Sequence, residues 1–383
     1  MRKDLLVFGQ PLIEQDEIDE FLDSVRSCWL GTGKKVGMFE QDFATYKNVK
    51  YAAAVSSCSA ALHLSCLALN IKPGDEIITT AMTFCSTVNA IIHAGAVPVL
   101  ADIHADTLNI DPAEIEKKIS GKTRAIIVVH FAGRPCDMDS IIRIAAKHHL
   151  TVIEDCAHAI ESEYKSKPCG TIGDIGCFSF YPTKNITTGE GGMVISNNGQ
   201  LISRIKTIAL HGLSHDAWSR FSDEGYKHYY VQDAGFKYNM TDLQAAFGIH
   251  QLKRIENYRE RRKRIWDFYN AELKDLPIVL PCREAADCKH AYHLYTIRVN
   301  KQLCGFSRDE FLNSMHRLNI GCGVHYIAIP QHPYYLETYK YAEKDFSNAL
   351  RYGSETVSLP ISPKLSDQDV EDVVDAVREI LHT

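Results

Sequence analysis

Two side chains in this sequence could carry chemistry together, Lys184 and Asp155. Lys184 stands in Ser179-Phe180-Tyr181-Pro182-Thr183-Lys184-Asn185, after β-type residues from Gly176 to Tyr181, and leads into Thr188-Gly189-Glu190-Gly191-Gly192. Asp155 stands in Glu154-Asp155-Cys156-Ala157-His158, just beyond the apolar run Leu150 to Ile153. A lysine amine can form a Schiff base, and a carboxylate can keep a pyridine nitrogen protonated so that the ring works as an electron sink. Pyridoxal phosphate chemistry needs both groups at one sheet edge. Taken alone, such a lysine is most often a solvated surface residue. The elements around it therefore decide.

Short β-rich runs occur at Tyr51 to Val55, Glu76 to Thr80, Val97 to Ile103, Arg124 to Phe131, Thr151 to Asp155, Gly176 to Tyr181 and Gly192 to Ser196. Helical patterns lie between several of them: Ala60 to Leu69, Thr87 to Ala94, Asp111 to Ile119 and Asp137 to His149. Such alternation predicts an α/β fold with a large, mostly parallel sheet flanked by helices. Ligands of these sheets gather at the carboxyl ends of the strands, which is where Asp155 falls. Before the first strand come an acidic helical stretch, Glu14 to Cys28, and the turn Gly31-Thr32-Gly33-Lys34-Lys35. After Gly235 the pattern reads as one long helix, Thr241 to Leu273, whose charge-dense second half (Lys253 to Arg264) is expected to be a solvated face. A strand from His293 to Val299, a helix from Ser307 to Leu318 and a final helix capped near Ser366 complete a smaller α+β block. Residues 1–250 are thus expected to form the N-terminal segment and large domain, and 251–383 the small domain.

The 383 residues suit two domains, or one large domain with an appendage. A net charge of −6 gives no electrostatic reason to expect nucleic acid or an anionic membrane as partner. No apolar run approaches the roughly 20 residues that span a bilayer. The N-terminal apolar stretch is too short for a signal peptide, so a cytoplasmic enzyme is expected. The twelve cysteines contain no C-x-x-C pair, and Cys66, Cys85, Cys156 and Cys177 sit in apolar runs as small hydrophobes. Neither structural metal nor disulfides are expected.

Two further stretches bear on a cofactor. Ser56-Ser57-Cys58-Ser59-Ala60-Ala61 places small polar residues after a strand and before a helix, where free backbone amides can hold a phosphate. An ordinary serine N-cap has the same signature. Phe84, in Met82-Thr83-Phe84-Cys85, could stack on a planar ring or simply pack in the core. Ser179, five residues before Lys184, could add a hydroxyl to the phosphate.

A cradle, a ring, a carboxylate and an amine thus follow one another along a single α/β unit. With these residues the chain resembles the DegT/DnrJ/EryC1/StrS family, sugar aminotransferases of the aspartate-aminotransferase fold (pyridoxal phosphate fold type I). The resemblance spans essentially the whole chain. It runs through Phe8-Gly9-Gln10-Pro11-Leu12-Ile13, Trp29-Leu30-Gly31-Thr32-Gly33, Pro73-Gly74-Asp75-Glu76, Val129-His130-Phe131-Ala132-Gly133, Glu154-Asp155-Cys156-Ala157-His158, Gly235-Phe236-Lys237-Tyr238-Asn239-Met240 and Gly323-Val324-His325-Tyr326.

By that resemblance Lys184 would hold the cofactor and then move the substrate proton, Asp155 would pair with the pyridinium nitrogen, and His158 would lie near the ring's phenolic oxygen. Phe84 would stack on the ring; Cys58, Ser59 and Ser179 would hold the phosphate. A homodimer with shared active sites is implied, with Lys237 or Asn239 reaching the partner's phosphate. The implied substrates are an amino acid, L-glutamate, and a nucleotide-linked keto-sugar. His211, Arg220, His325, Tyr326 and, more weakly, Thr32 are the candidates to touch it. Cys58-Ser59 stands where relatives commonly have Gly-Thr, which a backbone cradle tolerates if φ at Cys58 is negative. Three alternatives compete. A dehydratase of the family carries histidine at the Schiff-base position, against Lys184. An aminotransferase could act on a cyclitol or aminobenzoate precursor. A non-catalytic regulator or cofactor-binding scaffold is disfavoured by the intact Lys184, Asp155 and phosphate cradle.

Overall fold

Strands with no polar face belong in the middle of a sheet covered on both sides. The computed structural model describes residues 2–214 and 228–382, and it builds such a sheet from seven of its first nine strands. These nine are β1 (Tyr51–Val55), β2 (Glu76–Thr80), β3 (Val97–Ala101), β4 (Thr123–Val129), β5 (Thr151–Asp155), β6 (Glu163–Tyr164), β7 (Lys167–Pro168), β8 (Ile175–Ser179) and β9 (Gly192–Ser196). The large sheet has the order β1-β9-β8-β5-β4-β2-β3. Its fully buried strands, β8 and β9, lie inside it. β9 is reversed against both neighbours, and the other pairings are parallel. Because β9 is reversed, its first residue lies at the edge where the parallel strands end: Gly192 pairs with Val55 on one side and Ser179 on the other.

Helices close both faces. Cys58–Ala68 and Gly199–Ala209 pack with Ala53, Ile127, Ile153 and Val194. On the opposite face Lys34–Lys47 and Asp242–Lys253 bury Phe39, Phe43 and Ile249 against Phe178, Met193 and Ile195. A second core forms around the two-stranded sheet Tyr295–Arg298 with Thr356–Leu359. Helices Ile255–Leu273 and Arg308–Arg317 supply Trp266, Tyr269, Phe311 and Met315 to it. The beginning of the chain joins this core: Leu6 is buried in it, and its backbone exchanges hydrogen bonds with Asn319 and Gly321.

Two expectations from the sequence are corrected. The single helix expected from Thr241 to Leu273 is two helices that break at Arg254 (φ −103, ψ 1). No proline or glycine marks the break. The first helix follows the packing against Gln15–Arg26, where the Arg254 guanidinium meets Glu17 and Asp16. The second turns towards the other core. Nor is Lys253 to Arg264 simply a solvated face. Arg262 is 2% exposed and pairs with the fully buried Glu161, donating also to the Ala291 carbonyl. Its Nη1 has no hydrogen-bond partner among the described residues.

Removing one member of such a pair strands a charge in the interior. Glu161→Ala should therefore lower stability by about 3–5 kcal/mol in urea unfolding. Replacing both partners with apolar residues of similar volume should recover most of that loss.

Candidate active site

Asp155 is the last residue of β5, and its carboxylate is buried. One oxygen accepts from the Thr87 hydroxyl at 2.8 Å, and the other from the Ala157 N–H at 3.1 Å and the Cys58 thiol at 3.9 Å. The Thr87 hydroxyl lies 2.8 Å from that of Thr83, which precedes the helix carrying Thr87. Burial pushes the Asp155 pKa up, while the Ala157 and Thr87 hydrogen bonds and the Lys184 charge oppose it. The result is a carboxylate held in place and facing a cavity.

Lys184 enters that cavity from the neighbouring strand. β8 pairs with β5 in parallel, and the chain then turns, with the Lys184 N–H donating to the Tyr181 carbonyl at 2.8 Å. Enclosure of the amine lowers its pKa from 10.5 to about 8, despite the nearby Cys58 and Asp155. A far larger share of the amine is thus free near neutrality than for an ordinary lysine, as a nucleophile or base needs.

The third corner is the N-terminus of Cys58–Ala68. Ser57 is its N-cap, with the side chain accepting the Ala60 N–H at 3.1 Å. The Cys58 and Ser59 N–H groups, at the first two helical positions, have no intrahelical acceptor. Cys58 has helical backbone, so the departure from Gly-Thr costs the turn nothing. Gly192 closes the cradle from behind: a Cβ there would come within 2.5 to 2.7 Å of the Ser57 carbonyl and the Cys58 nitrogen. Ser179 is buried at the adjoining strand end.

These groups line one cavity of about 660 Å³, together with Phe84, His158, His325, Tyr326, Phe8, Thr183 and Glu190. Phe84 is 57% exposed at its edge, with its ring 6.0 Å from that of Tyr326. His325 is held by the Ser358 hydroxyl at 2.8 Å, and burial lowers its pKa to about 3. Cavities of about 790 and 720 Å³ lie elsewhere and contain neither Lys184 nor Asp155.

The remaining candidates that lie among the described residues are not at this cavity in their own chain. Asn239 donates to the Thr32 hydroxyl at 2.7 Å, and both line the 720 Å³ cavity. Lys237 and His211 are exposed. Arg220 lies outside the described residues. The sequence reading gave no site role to Thr87 or Phe8. Thr87 reaches Asp155 only through tertiary packing, and Phe8 belongs to a segment 176 residues away from Lys184 along the chain.

Among the described residues, one group of His, Cys and carboxylate side chains lies close enough together to hold a metal: His130, Glu154 and Cys156. The Glu154 oxygens accept from the His130 ring at 2.8 Å and from the Gly170, Ile172 and Gly173 N–H groups at 2.6 to 2.8 Å. Four donors use the acceptor capacity of a carboxylate, so Glu154 anchors the 170–173 loop.

The family model of the DegT/DnrJ/EryC1/StrS aminotransferase family matches residues 11–378. The spore coat polysaccharide biosynthesis protein SpsC of Bacillus subtilis is 45% identical over 381 residues, covering 99% of this chain and 98% of that protein. The PLP-form of Spr1654 from Streptococcus pneumoniae superposes with a TM-score of 0.91 at 30% identity, covering 99% of both chains. PseC from Helicobacter pylori, an aminotransferase involved in the biosynthesis of pseudoaminic acid, gives 0.90 at 28% identity, covering 99% of this chain and all of that one. Fold and site together define a pyridoxal phosphate-dependent enzyme of fold type I. The chain belongs to the DegT/DnrJ/EryC1/StrS family and is an aminotransferase.

The residues present fit that cofactor: an enclosed amine of lowered pKa, a hydrogen-bonded carboxylate and a helix N-terminus face one cavity. Two outcomes follow. Uptake of pyridoxal phosphate by the cofactor-free protein, followed by absorbance, should quicken with rising pH as Lys184 loses its proton and level off above about pH 8. A rise continuing towards the ordinary lysine value of 10.5 would mean that the amine is not enclosed. Gly192→Ala should force the cradle apart at about 1–3 kcal/mol, read as faster loss of cofactor on dialysis.

Proposed function

We propose that this aminotransferase moves an amino group from L-glutamate to a keto-sugar carried on a nucleotide, a UDP- or dTDP-linked 4-keto-6-deoxyhexose. The observation that carries the chemistry is the opposition of Lys184 and Asp155 across a cavity closed by the Cys58 helix N-terminus. Similarity to SpsC, named for polysaccharide biosynthesis, and to PseC, an aminotransferase of pseudoaminic acid biosynthesis, supports a sugar acceptor. No helix among the described residues is long and apolar enough to cross a membrane, which accords with a cytoplasmic enzyme using nucleotide-linked substrates.

When bound, pyridoxal phosphate supplies the electron sink that lets an α-proton leave carbon. The chain supplies the rest. Lys184 Nζ would hold the cofactor and would be the base that takes the substrate proton and returns it. The Asp155 carboxylate holds the proton on the pyridine nitrogen. The Cys58 and Ser59 amides, with the Ser59 and Ser179 hydroxyls, hold the phosphate, and Phe84 covers the ring. His325 and Tyr326 line the side through which an acceptor would approach.

The working unit is a homodimer. Thr32 and Asn239 stand away from their own chain's cavity, and Trp29, Met38, Tyr230 and Val231 are at least half exposed. A second copy would cover these side chains and bring Lys237 or Asn239 to the neighbouring phosphate.

Adding L-glutamate to the loaded enzyme should bleach its visible band, and a UDP- or dTDP-linked 4-keto-6-deoxyhexose should restore it. Lys184→Ala should cut turnover by about 100- to 10,000-fold. A band indifferent to every amino acid would sink the proposal, and a fully active monomer in sedimentation would sink the shared site.

A further inference from the structure

Asp155 stands at the end of a chain of hydroxyls. Its shortest contact is the Thr87 hydroxyl at 2.8 Å, against 3.1 Å for the Ala157 N–H and 3.9 Å for the Cys58 thiol. Thr87 is fully buried, and its oxygen lies 2.8 Å from that of Thr83, which is 2% exposed and lines the cavity. Thr83 immediately precedes Phe84, the N-cap of helix Cys85–His93, so the turn that offers Phe84 to the cavity also supplies this pair. Other buried hydroxyls nearby give their protons to backbone carbonyls: Thr79 to Ile127 at 2.9 Å, and Ser65 to Ala61 at 2.7 Å. That is the usual outlet of a hydroxyl in or beside a helix, and Thr87 forgoes it for a carboxylate.

Counting protons gives the chain a direction. An ionised carboxylate can only accept, and a threonine hydroxyl has one proton. Thr87 gives its proton to Asp155, so the hydrogen between the two threonines belongs to Thr83. The order Thr83 to Thr87 to Asp155 is fixed for as long as Asp155 carries its charge. Accepting from Thr83 polarises the Thr87 O–H and strengthens the bond it makes. A hydrogen bond to a carboxylate favours its charged form, here against the burial that pushes the Asp155 pKa up. The ionisable groups around Asp155 are Lys184, His130, Cys58, Cys156, Cys177 and Tyr326. Of these only the Cys58 thiol bonds to it, at the longest of the three distances, which leaves Thr87 as its strongest side-chain donor.

We infer that Thr83 and Thr87 are positioning residues of the transamination, a directed pair of hydroxyls that holds the Asp155 charge and, through it, the proton on the cofactor's ring nitrogen. The inference rests on the cofactor reading of the site. Neither threonine has to touch the substrate for this role. Losing the pair should therefore lower kcat and leave KM for the amino donor nearly unchanged.

The test has two arms. In the cofactor-free protein with ¹³C-labelled aspartate, the Asp155 carboxyl signal is assigned through Asp155→Asn and followed against pH. Thr87→Val removes a donor to the charged form, so it should raise the Asp155 midpoint by about one unit. Thr83→Val should raise it by less, the double variant no further than Thr87→Val, and Thr87→Ser, which keeps the hydroxyl, should stay near wild type. In the loaded protein with ¹⁵N in the cofactor ring, the ring nitrogen should lose its proton at a lower pH in the same order of variants. An Asp155 midpoint that Thr87→Val leaves in place would overturn the inference. So would a Thr83→Val shift that persists undiminished in the Thr87→Val background, since the two hydroxyls would then act separately. If Thr87→Val does not fold, Thr83→Val alone decides, and an unmoved midpoint there overturns the chain. A wild type that takes up no cofactor would overturn the reading of the site and the role in transamination with it, and the carboxyl titration, made without cofactor, separates the two failures.

Discussion

An amine that must lose its proton and a carboxylate that must keep its charge share one enclosed space, and the same burial acts on both. It favours the neutral form of Lys184, which the chemistry needs, and disfavours the charged form of Asp155, which the chemistry also needs. The structure separates the two by hydrogen bonding. Asp155 is given Thr87, Ala157 and Cys58 as donors, so its charge is partly met before any ligand arrives.

Sheet topology makes that arrangement possible. β5 and β8 are parallel neighbours, so Asp155 and the turn carrying Lys184 leave the sheet at the same edge. β1 and β2 end there too, delivering the Cys58 helix and Phe84. The one reversed strand, β9, starts where the others finish and puts a glycine against the cradle, the residue whose missing Cβ lets two backbones meet.

The second core is wired to the lysine through buried polar contacts. Arg262 pairs with Glu161, Glu161 accepts from the Asn185 amide at 2.6 Å, and the Asn185 oxygen lies 2.8 Å from His293 Nδ1. Asn185 is the residue after Lys184. Tyr326, from the 323–326 segment, meets His158 across the cavity. Parts of the chain far apart in sequence therefore hold the amine and the wall opposite it.

Strand order along the chain, the cradle at Cys58, Asp155 at a strand end and Lys184 after the next strand were all legible in the sequence. Each depends on local pattern: apolar runs, small polar residues before a helix, a charged residue where a strand stops. Family resemblance then supplied roles that spacing alone does not carry. What stayed hidden depends on which surfaces meet. Thr87 reads as an ordinary helical threonine until its hydroxyl touches Asp155. Arg262 sits in a charge-rich run and is buried because Glu161 and the Ala291 carbonyl await it. The break at Arg254 has no sequence marker because two different cores pull its flanking helices apart. By itself the sequence determined the class of sheet and the identity of the reactive groups, since both follow from short-range pattern and side-chain chemistry. Only the tertiary structure decided which donors steady Asp155 and which polar residues lie away from their own cavity, because hydrogen bonds depend on distances that folding alone sets.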